Sequence, residues 1–222
     1  MATKPHNHRL PIDRIPPPSG WLLPIYFCVV TLAISIGLLV AGEFSELALR
    51  QVLRFSARVA MCAFLLAFSA SSLHLLWPTT ITRWLRQQRR YLGVSFAATF
   101  LLHGIAIGLR VIFFPKGFVD TLNPMVINVG GAAFVIALLM AVTSSNSVQR
   151  RLGPAWKGLH WFGNYFILLQ FVAGEILRLQ KDPVKYAPYG VLLALVILLR
   201  IIARLTLTMR KLRNRYAATI GS

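Results

Sequence analysis

Hydrophobic positions along the chain are gathered into six long runs with polar, mostly basic stretches between them. The runs are Trp21–Ala41, Phe55–Trp77, Tyr91–Phe114, Met125–Thr143, Leu159–Leu177 and Ala187–Ala203. Each approaches the roughly 20 residues a helix needs to cross a bilayer. A helix is also the open-ended element that can satisfy its own backbone polar groups in lipid. The pattern predicts an all-α polytopic membrane protein, a bundle of six transmembrane helices over residues 21–203. A Pro-rich tail (1–20) precedes it and a basic tail (204–222) follows. "FPKGFVDTLNP" and "QKDPVKYAPYG" carry Pro and Gly and read as tight connections.

Composition agrees. Of 222 residues, 56% are hydrophobic and 14% charged, with a mean hydropathy of +0.64. A soluble domain of this length has too little interior for so much apolar surface. The net charge of +18 would suggest nucleic acid in a soluble protein. Here the cations cluster between apolar runs, the pattern of membrane topology, so nucleic-acid binding is set aside. Fifteen Lys and Arg fall in the tails and in the loops after the second and fourth runs, against seven in the other loops. The positive-inside rule then places both termini in the cytoplasm. Trp77, Trp84, Tyr91, Trp156 and Trp161 lie near that predicted interface, where amphipathic rings anchor helices. Cys28 and Cys62 have no metal or redox spacing and read as small buried hydrophobes. His6 and His8 belong to the solvated N-terminal tail.

Ionisable residues inside a span are costly and point to function. His74, His103 and His160 sit in three different runs. A buried imidazole can simply hydrogen-bond a neighbouring helix, but three of them also offer axial ligands for heme iron clamped between helices. Gly104 and Gly108 beside His103 would let a flat ring or another helix approach. Asn164, one turn from His160, would orient an imidazole or bind another helix. Arg89, Arg90, Arg150 and Arg151 lie where heme propionates would emerge, and guanidinium–carboxylate pairing suits that role; they serve equally as topology signals and lipid headgroup contacts. Arg110 and Glu175, near the outer ends of their runs, would line a quinone or partner site, or pair with each other.

"RRYLGVSFAATFLLH" (Arg89 to His103) resembles the third-helix start of ferric-reductase-like transmembrane domains. "VTSSNSVQRRLGPAWKGLHWFGNY" (Val142 to Tyr165) is similar to their connection between helices four and five. The likeness is strongest to the heme-binding membrane subunit of the bacterial periplasmic methionine-sulfoxide reductase system. It implies a six-helix b-type cytochrome of the bacterial inner membrane that passes electrons across the bilayer, with His103 and His160 at ligand positions. One heme b, or two, would be held, and a quinone is a further candidate cofactor. Quinol or a cytoplasmic flavoprotein would donate electrons, and a periplasmic protein would accept them. No glycine-rich dinucleotide fingerprint occurs in the chain, so any flavin or nicotinamide would belong to a partner. Where the family usually carries another histidine, this chain has Ala173. His74 matches no family ligand position.

Depth along the helices raises a second pairing. His103 lies thirteen residues beyond Arg90, roughly 20 Å at helical rise. His160 lies three beyond Lys157 and His74 three before Trp77, both shallow. The resemblance pairs His103 with His160; depth pairs His74 with His160. The alternative function is a heme-free membrane scaffold or assembly subunit that keeps the fold. A transporter would show broken helices and central charge pairs.

Overall fold

The computed structural model describes residues 19–116 and 124–220. Among them all regular structure is helical: α1 (Leu22–Ala41), α2 (Glu46–Leu76), α3 (Thr80–Gln87), α4 (Arg89–Phe113), α5 (Pro124–Val142), α6 (Asn146–Leu152), α7 (Pro154–Leu179) and α8 (Pro183–Ile220). His6, His8 and most of the "FPKGFVDTLNP" connection lie outside the described residues.

Local chemistry sets the boundaries. Ser45 Oγ accepts from Ala48 N at 3.3 Å and starts α2 nine residues before the apolar run begins. Thr79 and Thr82 close a reciprocal cap on α3, and Ser145 Oγ caps α6. These two short helices are built from stretches whose charge pattern reads as loop. Gly153, at φ +50, ends α6, and Pro154 opens α7 directly after it. The "QKDPVKYAPYG" segment is a loop only as far as Asp182. Asp182 Oδ1 accepts from Lys185 N at 3.1 Å, so α8 begins at Pro183 and tolerates Pro188 inside it. The cost is one lost helical hydrogen bond near the helix start.

Among the described residues four helices, α1, α2, α4 and α8, are long and apolar enough to cross a bilayer, and α5 with α6, bent 104° from it, makes a fifth where the bent pair counts as one span. The expected span in α7 has the length, 26 residues, but Lys157, His160, Asn164, Gln170 and Glu175 interrupt its apolar character. The helices alternate in direction. Gly20 N donates to Gln88 Oε1 at 2.8 Å and Trp21 packs on Tyr91, so α1 and α4 start at the same end. At the other end, Phe44 packs edge-on against Phe113, and Arg110 Nη2 reaches Glu46 Oε1 at 3.1 Å. Arg200, near the middle of α8, bonds the Phe68 carbonyl in the second half of α2. The start of α1 and the last turns of α8 therefore share the end carrying Arg89, Arg90 and Arg200, called here the basic end.

The core gathers on α2. Ser56, Ala60, Ala63, Ala67 and Ala70 recur at helical spacing and are buried, which lets neighbouring backbones approach closely. Ala60 and Ala63 cluster with Phe64, Phe68, Phe96, Phe100, Ala133, Ile167 and Leu193, from five helices in all, and Ala67 and Ala70 pack with Leu23, Leu85 and Leu92. Outward stripes stay apolar: Leu22, Ile25, Val29, Leu32, Ile36 and Val40 of α1 are all exposed. Such a surface suits lipid, not water. Cys62 belongs to this outer surface and is exposed. Its neighbour Ala63 takes the inward position, so only Cys28, half-buried, comes near the expected buried environment.

Candidate functional site

A cleft of about 520 Å³ opens at the basic end between α2, α4, α5, α7 and α8. His160 enters from the first turns of α7. Its Nε2 lies 3.3 Å from Thr143 Oγ1 at the end of α5, and its ring centroid lies 4.2 Å from that of Trp156. Trp156 Nε1 donates to the Thr143 carbonyl at 2.9 Å, so one α5 residue holds both rings. Asn164 does not orient the imidazole; its Nδ2 donates back to the His160 carbonyl of its own helix.

Facing His160 are cations held by backbone and amide oxygens. Arg89 Nε donates to the Ala67 carbonyl at 3.1 Å and its Nη1 to Ser71 Oγ at 3.4 Å. Arg90 Nη1 donates to Asn146 Oδ1 at 3.0 Å. Arg200 Nη1 donates to the Phe68 carbonyl at 3.1 Å, and its guanidinium stands 4.5 Å over the Phe68 ring. The Nε atoms of Arg90 and Arg200 are buried without a hydrogen-bond partner among the described residues. With Arg86 and Lys157, five cations line the cleft and no carboxylate does. Uncompensated positive charge beside apolar walls makes it a receptor for an anionic, partly apolar group.

The other candidates lie elsewhere. Arg150 and Arg151 are exposed on α6; Arg150 borders a separate depression with Asn146 and Pro154. His74 Nδ1 is 3.3 Å from Thr82 Oγ1, so the ring faces α3 and does not line the cleft. His103 Nδ1 is 3.0 Å from Ser56 Oγ, whose own hydrogen goes to the Val52 carbonyl at 2.7 Å. Phe100 and Phe134 stack nearly parallel to the imidazole, at 6.0 and 6.4 Å, and on each other at 4.0 Å. Gly104 does admit a flat ring, but the ring is Phe134: a Cβ there would meet Phe134 Cε1 at 2.9 Å.

Helix α5 serves as a ruler for depth. His103 stacks beside Phe134 and His160 touches Thr143. Those α5 positions are nine residues apart, about 14 Å along the axis. Ser56 and His74 are eighteen residues apart on α2, about 27 Å. His103 therefore shares an iron with neither of the other two histidines. His74 and His160 share an end of the bundle but face different elements. Arg110 and Glu175 do not pair with each other: Arg110 reaches Glu46, and Glu175 Oε2 accepts from Arg178 at 3.1 Å.

The family model described as ferric reductase like transmembrane component matches residues 54–171, just over half of the chain. The chain belongs to this family. No solved structure matches it. The matched region of this ferric-reductase-like protein runs from the first third of α2 into α7 and contains all three histidines with Arg89 and Arg90. It leaves out Arg200, which sequence reasoning also passed over. Its signal was present: between Lys185 and Arg204, Arg200 is the one charged residue.

The surroundings of His103 are aromatic, with Phe100 and Phe134 beside its ring, whereas the cleft at the basic end has groups that fit heme. In the cleft, His160 offers an imidazole, the arginines suit propionates, and Met140 and Tyr165 also line the wall. Thioether and phenol groups are the other side chains in that lining able to ligate heme iron.

Proposed function

We propose that this ferric-reductase-like protein is a b-type cytochrome that holds one heme at the basic end and moves electrons within the membrane. One observation carries the reading: the cleft joins a single imidazole, His160, to five cations and no carboxylate. The heme supplies reversible one-electron chemistry when bound. His160 would hold the iron through Nε2, and Arg89, Arg90 and Arg200 would pair with the propionates through charge-assisted hydrogen bonds. The aromatic core below the cleft excludes water. α7 serves as the sixth crossing, with Lys157, His160 and Asn164 lining the site, and the basic end faces the cytoplasm. A quinol or a cytoplasmic flavoprotein would donate there. A periplasmic reductase of the methionine-sulfoxide class is the acceptor the resemblance suggests.

A second reading, a heme-free scaffold, is favoured by Ala173, where the resemblance expects a histidine. The two part on a reduced-minus-oxidised absorbance spectrum of the full-length protein, purified from cells supplied with heme. The cytochrome reading expects an α-band that is lost in His160→Ala and kept in both His103→Ala and His74→Ala. No heme absorbance in the unmodified protein, or survival of the band in His160→Ala, would sink it.

A further inference from the structure

A second cleft, of about 290 Å³, lies on the outer surface between α7 and α8 at the basic end. Its composition changes with depth. Leu168 of α7 with Ile197 and Ile201 of α8 lines the part nearer the middle of the bundle. Arg204 and Thr208 line the part nearer the basic end, and Arg200 and Tyr165 stand between. Ile197, Arg200, Ile201, Arg204 and Thr208 recur three to four residues apart, so one face of α8 carries the whole gradient. Tyr165 lines the cleft together with both Arg200 and Arg204. Thr208 Oγ1 is turned to the Arg204 carbonyl at 3.1 Å. No carboxylate lines this cleft, and among the described residues none pairs with either arginine. Arg200 Nε is buried without a partner.

We propose that this cleft binds one anionic phospholipid, with its phosphate between Arg200 and Arg204 and an acyl chain along Leu168, Ile197 and Ile201. An apolar slot ending in two guanidinium groups and a phenol matches an amphiphile with an anionic head. Guanidinium pairs with phosphate through parallel charge-assisted bonds. Basic pockets between transmembrane helices are recurrent sites for such headgroups. The site does not involve His160. Arg200 lines both clefts, so Arg204 is the residue to change.

The test is native mass spectrometry of the full-length protein in mild detergent, titrated with phosphatidylglycerol or phosphatidylcholine. One phosphatidylglycerol should be retained in preference to phosphatidylcholine. Arg204→Gln should weaken retention about tenfold, the loss of one charge-assisted contact. Arg210→Gln, further along α8, should not. Leu168→Trp, which fills the apolar half and keeps every charge, should weaken it as well. Arg204 is exposed, so its variant should melt with the unmodified protein when no lipid is added. Millimolar inorganic phosphate should leave the lipid bound. Equal retention by Arg204→Gln and Arg210→Gln, no headgroup preference, undiminished binding in Leu168→Trp, or displacement by phosphate would each overturn the proposal.

Discussion

Two glycines one helical turn apart on α4 show how much a single side chain decides. At Gly104 an added methyl would meet Phe134 at 2.9 Å, while at Gly108 nothing lies within 4 Å. Phe134 has little room to yield, because Phe100 stacks on it at 4.0 Å. Gly104→Ala should therefore destabilise the bundle by about 1–3 kcal/mol, the usual cost of overpacking. Gly108→Ala should be neutral, or stabilising by up to ~1 kcal/mol through helix propensity. Thermal unfolding of both variants in one detergent gives the comparison, and equal melting points would reject the Phe134 contact. The same contact carries a functional message. The GxxxG beside His103 has the shape that receives a flat ring, and the fold has used it for its own aromatic stack.

At the scale of an element, α2 organises the bundle. It is the longest buried helix, and it touches α1, α3, α4 and α8. Its inward side is Ser56, Ala60, Ala63, Ala67 and Ala70, with Ala60, Ala63 and Ala70 wholly inaccessible. With little hydrophobic force between helices in lipid, close backbone contact must supply the cohesion. Ala63→Leu should push neighbouring helices apart and cost about 1–3 kcal/mol or more. Cys62→Leu, one residue away on the exposed side, should change stability by no more than about 0.5 kcal/mol. A matched pair of melting curves decides it; equal losses would mean that α2 is rotated from the orientation described. Helix α7 presents the opposite case. Its weaker apolar character comes from residues that line the cleft or pair in the interior, such as His160 and the buried Glu175. Function and membrane hydropathy compete for the same helix.

For the whole molecule, the up-and-down order puts the start of α1 and the end of α8 together, with the α1–α2 turn opposite. Single cysteines placed at Ser19 and Arg210 in a background lacking Cys28 and Cys62 should react with an impermeant maleimide from one side only. A cysteine at Glu43 should react from the other. If the positive-inside expectation is right, only Glu43→Cys labels in intact cells. Labelling of Ser19→Cys and Glu43→Cys from the same side would break the topology.

Much of this was legible from residue order alone, because the physics behind it is local. Runs of apolar residues must become helices in lipid, since no water is present to satisfy the backbone. Clusters of arginine mark one end of the bundle, and the RRLG…LH pattern places the chain in its family. The short helices α3 and α6 were hidden because their caps, Thr79 and Ser145, act through hydrogen bonds that the charge pattern masks. Which histidine faces an open cleft was not legible. His74, His103 and His160 look alike as intramembrane imidazoles, and their environments come from Thr82, from Phe100 and Phe134, and from Arg89, Arg90 and Arg200. Those partners lie on other helices, tens of residues away in several cases. Sequence periodicity gives each helix its own faces, but the rotation of one helix against the next is set by packing. Only the tertiary structure could bring Arg200 into one cleft with His160 or stack Phe134 beside His103.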